Sequence, residues 1–190
     1  MAAIYSTTTQ EGIDINSVFV LDTAGHPEYP APAFLPGELA WGTDGSEWVY
    51  CTASVTLSAG TVVYISQVPG SWSVAAIGGG TIAASAAYTG ALVAVVGGST
   101  GSLVVPAPSG TQTGAYFWGQ RAGNAPNVRS IATTTKNFQV YSSATLAGVV
   151  TSTNGGTGTA YQINGLVISQ ATGSAAGPNT AVLNYPVIGS

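Results

Sequence analysis

From Trp48 to Gln120 the chain carries no charged side chain, and three bases and seven acids are all the charge that its 190 residues hold. That is 5% of the chain, where an ordinary soluble domain has about 25%. Solvent-facing helices draw on Glu, Lys, Arg and Leu. This chain offers instead 26 Gly and 10 Pro together with abundant Thr and Ser, all poorer helix formers than Ala. Long helices are therefore not expected. The uncharged stretch does not read as a membrane span either, because Gly, Ser, Thr or Pro interrupts it every few residues. Even 82–96 falls short of the roughly 20 apolar residues that a crossing helix needs. With 45% hydrophobic residues the composition is also the opposite of a disordered chain.

What fits is a succession of short strands. LAWGT, EWVYCTASVTL, TVVYISQ and SWSVAAI follow one another, separated by Asp44-Gly45, Ala59-Gly60 and Pro69-Gly70. Asp-Gly between aromatic, strand-like runs is a strong hairpin signal. Further β-type runs are ALVAVV, SLVVPA, AYFWGQ, NVRSIA, FQVYSS, GVVTST, LVISQA and TAVLNYPVI, at intervals of about ten to fifteen residues. This spacing predicts an all-β fold, a small β-barrel or β-sandwich. One segment, TIAASAAYTGA, leans towards helix through its alanines.

Charge is sorted along the chain. Every acid lies in the first 47 residues, and the three bases are Arg121, Arg129 and Lys136. The segment 24–37, AGHPEYPAPAFLPG, holds four prolines, which remove backbone donors and favour an extended course. Together with SVFVL before it, this segment divides the chain into an extended N-terminal arm, 1–37, and a β body, 38–190. SVFVL is read as an unpaired strand or anchor. Phe19, Pro27, Pro30, Phe34, Leu35 and Pro36 are the candidate docking residues of the arm, with Phe19, Phe34 and Leu35 as its apolar anchors. Glu11, Asp14, Asp22 and Glu28 are available to basic partners.

No constellation in the sequence carries catalysis. Gly97-Gly98-Ser99-Thr100-Gly101 matches a nucleophile-elbow pattern, but a strand-like, proline-containing segment follows it instead of a helix. The one histidine, His26, lies in the arm, and no acid follows Glu47. Asp44 and Glu47 flank a turn and do not face one another across a cleft. Lys136 lacks the glycine loop of a phosphate-binding motif. A single cysteine, Cys51, allows neither an internal disulfide nor a thiolate cluster and reads as a small core hydrophobe. Hence no enzyme, no cofactor and no metal is expected. At net charge −4 the chain is not expected to bind nucleic acid, which takes several Lys or Arg on one face. The start MAAIYSTTTQ has neither the basic nor the apolar part of a secretory signal, so synthesis in a cytoplasm is expected. A chain this poor in charge makes most sense as a subunit whose faces are covered by neighbours, a homotrimer ahead of a dimer.

Four stretches carry a family resemblance. GELAWGTDGSEWVYCTASVTLSAGTVVYIS, GAYFWGQRAG, TTTKNFQVYSSATLAGVVTST and GLVISQATGSAAG occur in the order of corresponding elements in capsid decoration, or cement, proteins of tailed bacteriophages, and the chain resembles that family over roughly 37–189. Cys51 stands where the family tends to have Val or Gln, and Trp118-Gly119 reverses its usual Gly-Trp order. The resemblance implies a small β domain on the outer surface of an icosahedral shell. There it would bind the major capsid protein and its own copies and reinforce the shell without catalysing anything. A head-fibre or adhesin-type domain that binds host-surface glycan is the alternative, with Trp41, Trp48, Trp72, Trp118 and the tyrosines as a stacking platform.

Overall fold

The computed structural model describes residues 4–6, 14–22, 32–66, 72–78, 89–98, 104–106, 112–131, 134–153, 160–170 and 177–189. These residues form strands and turns without a helix, and the all-β expectation holds. The strands are β1 (Ile4–Ser6), β2 (Phe19–Asp22), β3 (Leu39–Gly42), β4 (Glu47–Ala53), β5 (Leu57–Ser58), β6 (Val62–Ile65) and β7 (Ser73–Ala76). They continue with β8 (Val93–Val96), β9 (Val104–Val105), β10 (Gln112–Ser130), β11 (Val140–Ser142), β12 (Val150–Thr151), β13 (Gln162–Gln170) and β14 (Gly177–Ile188). The helix-leaning stretch lies mostly outside the described residues, as does the Pro69-Gly70 turn.

Strand β10 organises the molecule. Its first half pairs with β4 from Ala115↔Ala53 to Ala122↔Glu47, and its second half with β14 from Ala122↔Asn184 to Ser130↔Gly177. Pairing runs from β4 through β7, β6 and β8 back to β10, and on the other side from β10 through β12, β11, β13 and β14. The link from β10 to β12 is a single registered pair, Ser130↔Val150. The architecture is thus a sandwich-like pair of lobes sharing β10 and not one closed barrel. AYFWGQ and NVRSIA, read from sequence as separate strands, are one continuous strand. Register shifts between Gln120 and Ala122 and between Ala125 and Val128 pass over Arg121 and over Pro126 and Asn127, and Pro126 cannot donate to a ladder. Conversely, EWVYCTASVTL is broken: β4 ends at Ala53, and β5 pairs separately with β9.

Each lobe has its own core, and β6 and β8 form the wall between them. Val63, Ile65, Ala94 and Val96 join Val49, Cys51, Val74 and Phe117 in one cluster. Val62, Val93 and Val95 join Val128, Val140, Ile163 and Leu183 in the other. Strands buried on both faces need apolar side chains at successive positions, and VVYI and VAVV supply them. Strand β4 alternates instead: Val49 and Cys51 face the first core, while Trp48 and Tyr50 meet Trp118 and Ala40 on the outer face.

That outer face is covered by the N-terminal segment. Strand β1 pairs antiparallel with β3, Ile4↔Gly42 to Ser6↔Ala40. SVFVL, read as unpaired, contributes β2, which is hydrogen-bonded to β10 from Tyr116↔Phe19 to Gln112↔Asp22. Phe34 lies edge-on to Tyr50 and Trp118, with ring centroids 5.6 and 5.1 Å apart. Trp48, Tyr50 and Trp118 make a large apolar surface on β4 and β10, and Ile15 and Phe34 of the N-terminal segment pack against it.

Candidate functional site

The β3–β4 hairpin builds the first part of the site. Gly45 N–H donates to the Gly42 carbonyl, Gly42 N–H donates to the Ser46 carbonyl, and Gly45 sits at φ +80°. This is a three-residue loop with glycine in the left-handed position, in place of the tightest two-residue turn that Asp-Gly suggests. Asp44 Oδ1 accepts the Ser46 N–H at 3.0 Å, and the Trp48 indole donates to Ser46 Oγ at 2.9 Å. Hydrogen bonds from the Ser46 hydroxyl and then its amide hold the Asp44 carboxyl below its ordinary value. The loop therefore presents an ionised, oriented carboxylate.

Beside this loop a groove of about 460 Å³ opens where the lobes meet. The hairpin gives it Asp44, Ser46 and Trp48, the end of β8 gives Gly97 and Gly98, and the turn before β2 gives Ile15 and Asn16. Strand β10 adds Gln120 and the run Asn124-Ala125-Pro126-Asn127, brought to the rim by its second bulge. Gln120 spends both amide protons on the carbonyls of Ala122 and Asn124, at 3.0 and 2.9 Å, which leaves Oε1 as its acceptor. Asn127 donates to the Gly98 carbonyl at 3.1 Å and ties β10 to the end of β8. Gly97 is packed so closely that an added Cβ would stand 2.8 Å from the Trp48 ring.

A second polar cluster lies at the same end of β4, around Glu47, the residue between Ser46 and Trp48. Tyr185 donates its hydroxyl to Glu47 Oε2 at 2.9 Å, and Arg121 Nη1 is 3.9 Å from Glu47 Oε1, with its guanidinium 5.5 Å from the Tyr185 ring centroid. Hydrogen bonding to Glu47, and then the charge of that carboxylate, raises the Tyr185 phenol. The cluster joins β4, β10 and β14, and Tyr185 is held there at φ +47°, an unusual conformation for an aromatic residue.

The candidate residues read from sequence are thus dispersed. Phe19 pairs with Tyr116, Phe34 packs on the chain's own body, Pro36 is half-buried, and Leu35 stands 68% exposed. Pro27 and Pro30 lie outside the described residues, as do Glu11, His26, Glu28 and Ser99 to Gly101. Asp14 accepts from the Asn16 and Ser17 backbone and side chains of its own turn through Oδ1 and its carbonyl. Asp44 and Glu47 serve different clusters. Of the four tryptophans, Trp48 and Trp118 are buried, Trp72 is half-buried and Trp41 is exposed. Sequence reading missed Gln120, Asn124 and Asn127. Their signal was the turn-like Asn-Ala-Pro-Asn between two apolar runs, whose meaning depends on the bulge. Among the described residues no three His, Cys, Asp or Glu side chains are grouped to hold a metal. No known protein family and no curated protein matches the sequence.

Proposed function

We propose that this chain is a structural virion protein that attaches to the outer surface of an icosahedral phage capsid and stabilises it, binding the major capsid protein and further copies of itself. The observation that carries the reading is the outer face of β10, β13 and β14. Val167 and Val182 are directly paired there and exposed, flanked by exposed Asn124, Asn164 and Asn184. Apolar and amide groups with little charge are the composition of an interface core, which is depleted in Lys, Glu and Asp. The low charge of the whole chain and the resemblance of its sequence elements to decoration proteins point the same way. Multiple contacts through an oligomer would multiply modest affinities by about 10² to 10⁴.

The test is sedimentation of the full chain with expanded, emptied capsids, together with analysis of purified virions for the protein. Attachment is expected, and it should raise the temperature at which shells break. Deleting residues 2–36 would uncover Trp118 and Tyr50 and so mix folding with docking. Leu35→Asp and the pair Val167→Asp with Val182→Asp separate them, because each changes an exposed position. Loss of attachment on either variant, with folding intact by circular dichroism, locates the contact. A full chain that neither cosediments with shells nor occurs in virions would end this reading.

A further inference from the structure

The groove between the lobes goes beyond capsid attachment. Its available groups are mainly acceptors: the Asp44 carboxylate, Gln120 Oε1 and Asn16 Oδ1, whose amide nitrogen is engaged by Asp14 at 3.1 Å. Asn124 adds an exposed amide with both donor and acceptor. Neither Lys nor Arg lines the groove, and Asp44 is ionised, so phosphate, sulfate or carboxylate ligands would be repelled. Among the described residues the groove has one carboxylate, too few for a calcium site of six to eight oxygens. The apolar wall is formed by Ile15, Val95, Val96, Ala125 and Pro126, beside Ser46, which accepts from the Trp48 indole, and Asn127, which donates to the Gly98 carbonyl. A volume of about 460 Å³ lies within the ordinary range of small-molecule sites.

We infer that this groove binds a neutral sugar unit. Its hydroxyls donate to Asp44, Gln120 and Asn16 and exchange hydrogen bonds with Asn124, while its C–H face lies on the apolar wall. A pyranose combines several donors, no negative charge and one apolar face, which is what the lining asks for. The affinity of a single unit is modest, with Kd on the order of 1 mM, since a handful of hydrogen bonds must offset desolvation and lost freedom.

The experiment needs no capsid, so its outcome is independent of attachment. The full chain is titrated with methyl glycosides of glucose, galactose, mannose and N-acetylglucosamine, following Trp fluorescence and backbone amide shifts. At least one glycoside should saturate, with shifts centred on 14–16, 44–48, 95–98 and 120–127, and high salt should leave the binding unchanged. Asn124→Ala and Asp44→Asn should each weaken it about tenfold, the worth of one well-placed hydrogen bond. Leu146→Asn, exposed and outside the groove's lining, should leave it unchanged. Because Asp44 also shapes the hairpin, Asn124→Ala is the decisive variant. Failure of all four glycosides to saturate, shifts centred elsewhere, or undiminished binding by Asn124→Ala would each overturn the inference. So would salt-sensitive binding of a primary amine such as putrescine in preference to every glycoside.

Discussion

Gly60 shows how much one backbone position can carry. It adopts φ +75°, and a Cβ there would run into the Asn127 carbonyl; its own carbonyl accepts the Arg129 N–H at 2.9 Å. Gly45 has a similar φ, +80°, but open space around it. Gly60→Ala should therefore cost more than about 3 kcal/mol or prevent folding, and Gly45→Ala about 1 kcal/mol, as measured by urea unfolding. Cys51 is the other instructive residue. It reads from sequence as a core hydrophobe, and it is fully buried, with its thiol 3.6 Å from the Val49 carbonyl. Burial pushes that thiol from its ordinary 9.0 up to about 12, against the opposing pull of Arg121. The folded chain holds this proton where the unfolded chain releases it. Its contribution to stability is therefore complete below about pH 9 and declines as the pH rises towards 12. At neutral pH the native protein should not react with a thiol reagent, and the denatured protein should release one equivalent.

At the scale of elements, turn residues between apolar runs were a useful guide to strand positions. The β3–β4 hairpin lies where Asp44-Gly45 predicts it, and β4 is buried at six of its seven positions, with Val49 and Cys51 in one apolar cluster and Trp48 and Tyr50 in another. Strands β6 and β8 carry unbroken apolar runs because each has a core on both sides. Proline content was a poorer guide to the segment 32–37. Four prolines between 24 and 37 suggest a chain that lies on something else, but Phe34 is held by Tyr50 and Trp118 of its own body. Phe34→Ala should accordingly lose about 2–4 kcal/mol, somewhat less than a fully buried phenylalanine, in a chemical unfolding curve. Leu35→Ala, next to it but exposed, should fall within about 0.5 kcal/mol of the parent. Equal losses at the two positions would mean that the segment packs differently in solution.

For the whole molecule the decisive quantity is charge. Ten charged residues on 190 leave a surface of amides, hydroxyls and aliphatic groups, and few like charges keep copies apart. A homotrimer is the expected state in solution, a dimer the next. Light scattering across a concentration series should give a mass well above the 18.9 kDa of one chain, and Val167→Asp with Val182→Asp should lower it if the β13–β14 face is the contact between copies. A monomer mass at every concentration would remove self-association from the proposed function.

The amino-acid sequence by itself determined the class of this fold, because backbone propensity, Gly-punctuated apolar runs and the lack of helix-forming charged residues all act locally. It also determined the β3–β4 hairpin, which depends on neighbours in sequence, and marked Cys51 for the core by its residue type, although Phe117 and Val74, remote in sequence, complete that core. Only the tertiary structure decided that the chain forms two lobes with β6 and β8 between them, since a doubly buried strand and a strand in a single core can share one local pattern. It alone joined AYFWGQ to NVRSIA, because a bulge is a property of two strands in register. It alone brought Asp44, Asn16, Gln120 and Asn124 to one groove and set Glu47, Arg121 and Tyr185 together. Glu47 and Tyr185 lie 138 residues apart in sequence, and no local rule couples residues at that separation.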